Sequence, residues 1–100
     1  MALSDAQVEG SWIRTYDEKG KKVGSMSASG KDVVAVASDF FVCLEGSWIR
    51  TYDIDCKKIN SMSSSGKIVK GGAGSSFTCK EGSWLRTYNK DCKQTASRSA

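Results

Sequence analysis

Short runs of alternating apolar and polar residues fill the chain, and the alternation returns with a period of 36 residues. The clearest run is Gly46-Ser47-Trp48-Ile49-Arg50-Thr51-Tyr52-Asp53. It also begins at Gly10, and at Gly82 with leucine for isoleucine and asparagine for aspartate. Successive side chains of a strand point to opposite faces, so a period of two predicts β-structure. Self-similarity over this length marks stacked repeats, each too small to bury its own apolar face.

The second copy is complete and divides into four predicted strands: residues 31–38 (KDVVAVAS), 39–45 (DFFVCLE), 48–53 (WIRTYD) and 57–65 (KKINSMSSS). Gly46-Ser47 between two alternating runs predicts a two-residue hairpin, with glycine supplying the positive φ of a primed turn. Each unit is therefore expected to be an up-and-down antiparallel meander. The first copy is truncated, with almost no first strand and a shortened second one. The third has glycines at 71 and 72, where the second has Ala35 and Val36, and a shortened last strand. About eleven strands are predicted in one domain, residues 1–100, with units of about 1–30, 31–66 and 67–100.

Taking Gly46-Ser47 as the turn sets the register. Glu45 faces Trp48, Cys43 faces Arg50, and Phe41 faces Tyr52, all on one side of the sheet. The other side carries Phe40, Val42, Leu44, Ile49 and Thr51. Both sides of the middle unit are apolar enough to require cover. In the third unit the second side becomes Ser76, Thr78, Lys80, Leu85 and Thr87, so that unit is expected to be open on one face.

A four-stranded meander with Trp-Ile-Arg-Thr-Tyr-Asp as its third strand, followed by a polar turn and Gly20-Lys21-Lys22, resembles a β-propeller blade. It is also similar to short bacterial repeat proteins that carry no assigned function. The resemblance covers all three units and implies blade-like packing. Propellers close with about four to eight blades. Three units would then need a second chain, giving a homodimer that completes a six-unit ring. The alternative is a monomer closed around a pseudo-threefold axis, as in β-prism or β-trefoil folds.

Charge modifies this picture little. Fifteen Lys and Arg against eleven Asp and Glu leave a net +4. The lysines recur at matching points of the repeats, where they keep turns and edge strands solvated. No apolar run is long enough to span a bilayer, and the first residues lack a basic-then-apolar leader, so a cytoplasmic protein is expected. There is no histidine and no proline. The first absence removes the commonest general base and zinc ligand, and the second permits uninterrupted strand pairing.

The candidate site residues are the ladders Trp12, Arg14, Tyr16; Trp48, Arg50, Tyr52; and Trp84, Arg86, Tyr88. Residues at i, i+2 and i+4 share a face, which sets a guanidinium between two rings in a geometry suited to cation–π contact. Such a ladder either binds a ligand or glues one unit to the next, its arginine meeting Glu9, Glu45 or Glu81. If one ladder is open to solvent, the third is the expected site.

The four cysteines form two matched pairs, Cys43 with Cys79 in second strands and Cys56 with Cys92 in turns. Their spacing fits no zinc motif, the members of a unit are not expected to meet, and free thiols are expected. Cys56 and Cys92 stand where the first unit has Gly20. Serines alternate on the last strand of each unit without a base to activate them. Asp5, Asp17, Asp39 and Asp53 are assigned to turns, and Gly71-Gly72-Ala73-Gly74 lacks the residues of a phosphate loop.

No catalytic residue, metal or cofactor is expected. The expected function is non-enzymatic: a multivalent binding or assembly module, with a lectin-like glycan ligand as the leading case. The alternatives are a purely structural, self-associating repeat protein and, as the weakest of the three, a nucleic-acid binder. No membrane partner is expected.

Overall fold

The computed structural model describes residues 3–99, with eleven strands and no helix among them. Strands β1 (Leu3–Glu9), β2 (Trp12–Asp17) and β3 (Lys22–Ser27) form the first sheet. The second contains β4 (Asp32–Val36), β5 (Phe40–Glu45), β6 (Trp48–Asp53) and β7 (Lys58–Ser63). The third contains β8 (Ile68–Ala73), β9 (Ser76–Glu81), β10 (Trp84–Asn89) and β11 (Gln94–Ser99). Each sheet is an antiparallel meander in chain order, and the described strands close into no barrel. The first sheet is one strand short, as its truncated copy leads one to expect. Any strand at Met1 and Ala2 lies outside the described residues.

The predicted register holds in the second sheet, with Phe41 opposite Tyr52, Cys43 opposite Arg50 and Glu45 opposite Trp48. The third sheet repeats it with Phe77, Cys79 and Glu81 opposite Tyr88, Arg86 and Trp84. Gly46 and Gly82 open their hairpins at φ 60° and 62°. A positive φ at the first central position alone is the II′ geometry that matches strand twist.

The longer turns keep one geometry although their residues change. Cys56 and Cys92 take φ 64° and 59°, the left-handed conformation of Gly20 at 77°. The amide of each donates across the turn to Asp53 or Asn89 at 3.0 Å, as Gly20 does to Asp17. A cysteine held this way costs about 1–2 kcal/mol relative to glycine. Packing offsets part of that cost, because Cys56 lies against the cluster between the first two sheets, with its thiol at the Thr15 hydroxyl. Cys56 therefore borders the cluster that contains Cys43, and both are free thiols. Asp5 corrects the assignment to a turn. It stands inside β1 beside a register shift, accepting the Ala6 amide at 2.9 Å, rather than at a turn.

The sheets are layered, and the core lies between them in two parts. Phe41, Cys43 and Tyr52 of the second sheet pack on Ala6 and Ile13 of the first, with Met26 at the edge. Phe40, Val42 and Ile49, on the opposite face, pack on Phe77, Cys79 and Tyr88 of the third. The middle sheet is covered on both sides, as its two apolar faces require. In each contact the Trp-Arg-Tyr face of one sheet meets the other face of the sheet before it.

The layers are also linked along their edges. Strand β4 lies beside both β1 and β8. The Thr15 hydroxyl donates to the Ile54 carbonyl, and the Thr51 hydroxyl to the Lys90 carbonyl, each at 2.5 Å. Thus the turn of one unit docks on the ladder strand of the unit before. Gly72, which in sequence weakens β8, is explained here: a Cβ on it would lie 2.9 Å from the Val36 carbonyl oxygen. Gly72→Ala is expected to force β8 from β4 and destabilise by about 1–3 kcal/mol, read from the urea midpoint.

Candidate functional site

Strands β2, β6 and β10 each place Trp, Arg and Tyr on one face, because the three lie two residues apart. A glutamate on the neighbouring strand completes each group. Arg14 Nη1 lies 3.4 Å from Glu9 Oε1, Arg50 Nη1 3.1 Å from Glu45 Oε1, and Arg86 Nη1 3.7 Å from Glu81 Oε1. The other carboxylate oxygen accepts the tyrosine hydroxyl, from Tyr16, Tyr52 and Tyr88 in turn. Each guanidinium is therefore held by a carboxylate. The ring contacts are elsewhere: Tyr52 stacks on Phe41 with centroids 5.5 Å apart, and Tyr88 on Phe77 at 5.7 Å.

The three copies differ in cover. Tyr52 and Tyr88 are buried while Tyr16 is half-buried. The Glu9 side chain is 34% exposed, against 12% for Glu45 and 16% for Glu81. The first ladder is thus the open one, not the third, because no described sheet packs on that face of β1–β3. The open face of the third sheet is its other one, where Leu85, Thr78 and Arg98 line a cleft of about 490 Å³.

The tryptophans behave differently from the tyrosines. Trp12, Trp48 and Trp84 are 48%, 47% and 47% exposed. Stacking a sheet on the ladder leaves the indole as open as it is where nothing stacks. In the register each tryptophan lies between the paired glutamate on one strand and Ser27, Ser63 or Ser99 on the other. Those serines are exposed. The arrangement is an aromatic face edged by a carboxylate and a hydroxyl, presented once by each sheet. Adjacent layers place these faces roughly 10 Å apart or more.

Burial governs the protonation of the neighbouring groups. Loss of water, and next Glu45, push the Tyr52 hydroxyl far up; the same order of causes, with Glu81, brings Tyr88 to about 12. For Tyr16 the hydrogen bond to Glu9 is the main cause of a rise. Burial raises the Cys43 and Cys79 thiols to about 12 and raises Cys56 and Cys92 as well. All four cysteines are free thiols, and none is activated as a nucleophile requires. Asp17 moves the other way. Its Oδ1 accepts the Lys21 and Lys19 amides at 2.9 Å, and the Lys21 bond chiefly lowers it.

These shifts have a sign in stability. A folded state that raises a pKa holds its proton more tightly than the unfolded chain, whose Cys and Tyr titrate near about 8.5 and 10. The stabilisation is whole below those values and is lost as pH rises to about 12. The urea midpoint should be flat with respect to these groups near neutrality and fall steadily above about pH 9. Native thiols should react slowly with a disulfide reagent at pH 8, and all four should react in denaturant.

Several residues that matter here are absent from the Trp-Arg-Tyr set. The three glutamates bind each ladder together, and Thr15 and Thr51 fasten one unit to the next. Their signal was the recurrence of each at the same point of every copy. Among the described residues no cluster of Cys, Asp and Glu could hold a metal ion, and no helix is long and apolar enough to cross a membrane. The chain matches no protein-family model and no curated protein.

Proposed function

We propose that the chain is a non-enzymatic multivalent binding module with blade-like stacked sheets, presenting one tryptophan platform per unit to a glycan. The carrying observation is the equal exposure of Trp12, Trp48 and Trp84 whether or not their sheet is covered. An indole that glued the layers would be buried where a neighbour packs, as Tyr52 and Tyr88 are. Aromatic side chains left in water at matched positions are characteristic of recognition surfaces. Layering of both neighbours on the middle sheet supports blade-like packing over closure about a threefold axis.

A sugar ring fits the platform better than a nucleotide does. It offers an apolar face to the indole and hydroxyls to the exposed serine at its edge, whereas the arginine that a phosphate would need is already paired with the glutamate. Arg and Tyr serve beneath, fixing the glutamate. Several weak sites on one chain gain avidity without new contacts. The free thiols fit a reducing, cytoplasmic setting. Tryptophan fluorescence titrated with a glycan panel tests the proposal. Emission should shift on saturation, and each Trp→Ala change should remove one site at unchanged stability. A flat response across neutral, acidic and amino sugars would refute it.

A further inference from the structure

The two ends of the layered stack are unlike its interior, and unlike each other. At the first sheet the ladder face carries Asp5 and Gln7, where the covered ladder faces have Phe41 and Cys43, or Phe77 and Cys79. At the third sheet the opposite face carries Lys70, Lys80 and Arg98, where the covered face of the second sheet has Val34, Leu44 and Met62. Apolar side chains meet at both internal contacts. The outer faces replace them with an acid and an amide at one end and three cations at the other. The half-buried Asp5 carboxylate accepts the Ala6 amide and the Gln7 side chain.

The third sheet also keeps the fittings of an internal contact. Thr87 stands where Thr15 and Thr51 donate to the turn of the following unit. It is half-buried, and no turn lies against it among the described residues. Ala96 takes the place of Gly24, against which Asp55 rests, and of Asn60, whose amide donates to Asp91 at 2.8 Å. A small side chain there leaves room for such a turn. Leu85 occupies the position of Ile13 and Ile49, the centre of each internal contact.

We infer that these faces are a head and a tail: the ladder face of β1–β3 in one copy of the chain docks on the open face of β8–β11 in another. The β2–β3 turn then reaches Thr87 as the corresponding turns reach Thr15 and Thr51. The Asp5 carboxylate of the head answers the cations of the tail, which directs the contact toward a second copy rather than a further apolar layer. A contact between two different faces continues until it closes or runs on, so the product is a ring or a filament. The inference concerns the layered faces and is independent of the tryptophan platforms.

Two variants test it by light scattering after size exclusion. Gln7→Arg places a cation on the head, and Leu85→Glu places an anion on the tail; both positions are outside the buried core, and circular dichroism should confirm folding. The unaltered chain is expected at twice its 10.8 kDa mass or a larger multiple, shifting toward monomer at high salt. Each variant alone should be monomeric, since every contact needs one head and one tail. Mixed together they should associate again, through the unaltered tail of one variant and the unaltered head of the other. A monomeric unaltered chain at all concentrations overturns the inference, as does a variant that still pairs with itself, which would indicate contact between like faces.

Discussion

Phe77→Ala is expected to lower the unfolding free energy by about 3–5 kcal/mol, much of what a domain this size possesses. Phe77 is 1% exposed and lies where the second and third sheets meet. It stands edge-on to Phe40, with ring centroids 6.1 Å apart, and stacks on Tyr88. Truncation would remove both contacts and leave a cavity between two layers that share no strand hydrogen bonds. The layers cannot close it without sliding against the Thr51–Lys90 bond. Urea unfolding measures the loss. Hydrogen exchange in β8–β11 should rise before that in β5 and β6, whose other face stays packed on the first sheet.

Glu45→Ala should cost about 2–3 kcal/mol, short of the 3–5 kcal/mol for a fully buried ion pair. It strips the Arg50 guanidinium and the Tyr52 hydroxyl of their partner together. Glu9→Ala removes the same bonds from the open copy and should cost less than about 1 kcal/mol, as exposed pairs do. Thus the difference between the two variants measures what layering adds to an otherwise identical group. Glu45→Ala should also lower the Tyr52 pKa, since Glu45 is the second cause of its rise, while burial keeps it above the ordinary value. Equal losses at both positions would mean that cover contributes nothing.

Much of the fold was legible in the chain. Alternation along 40–45 and 48–53, with Gly46-Ser47 between them, predicts the hairpin and its residue-by-residue register. Asp5 shows where local rules stop. Aspartate favours turns because its side chain bonds nearby amides, but it does the same inside β1 beside a register shift. Gly72 is similar. Propensity marks it as a weak point of β8, whereas the close approach of the Val36 backbone makes it a requirement. That approach joins residues far apart in sequence, and no local pattern contains it.

The candidate site divides in the same way. Spacing places Trp48, Arg50 and Tyr52 on one face, and recurrence shows that Thr51 and Glu45 belong with them. Register also sets Glu45 within reach of Arg50, but it cannot say that the tyrosine would be covered and the tryptophan left out, or that the first ladder would be the open one. Register is local, because a strand's side chains alternate whatever surrounds it; the sequence by itself therefore determined the strands, the hairpins and the membership of each face. Cover is not local, because it depends on which layer lies against which, and only the tertiary structure decided that. Layering separates a tyrosine that binds the stack from a tryptophan four residues away that faces water.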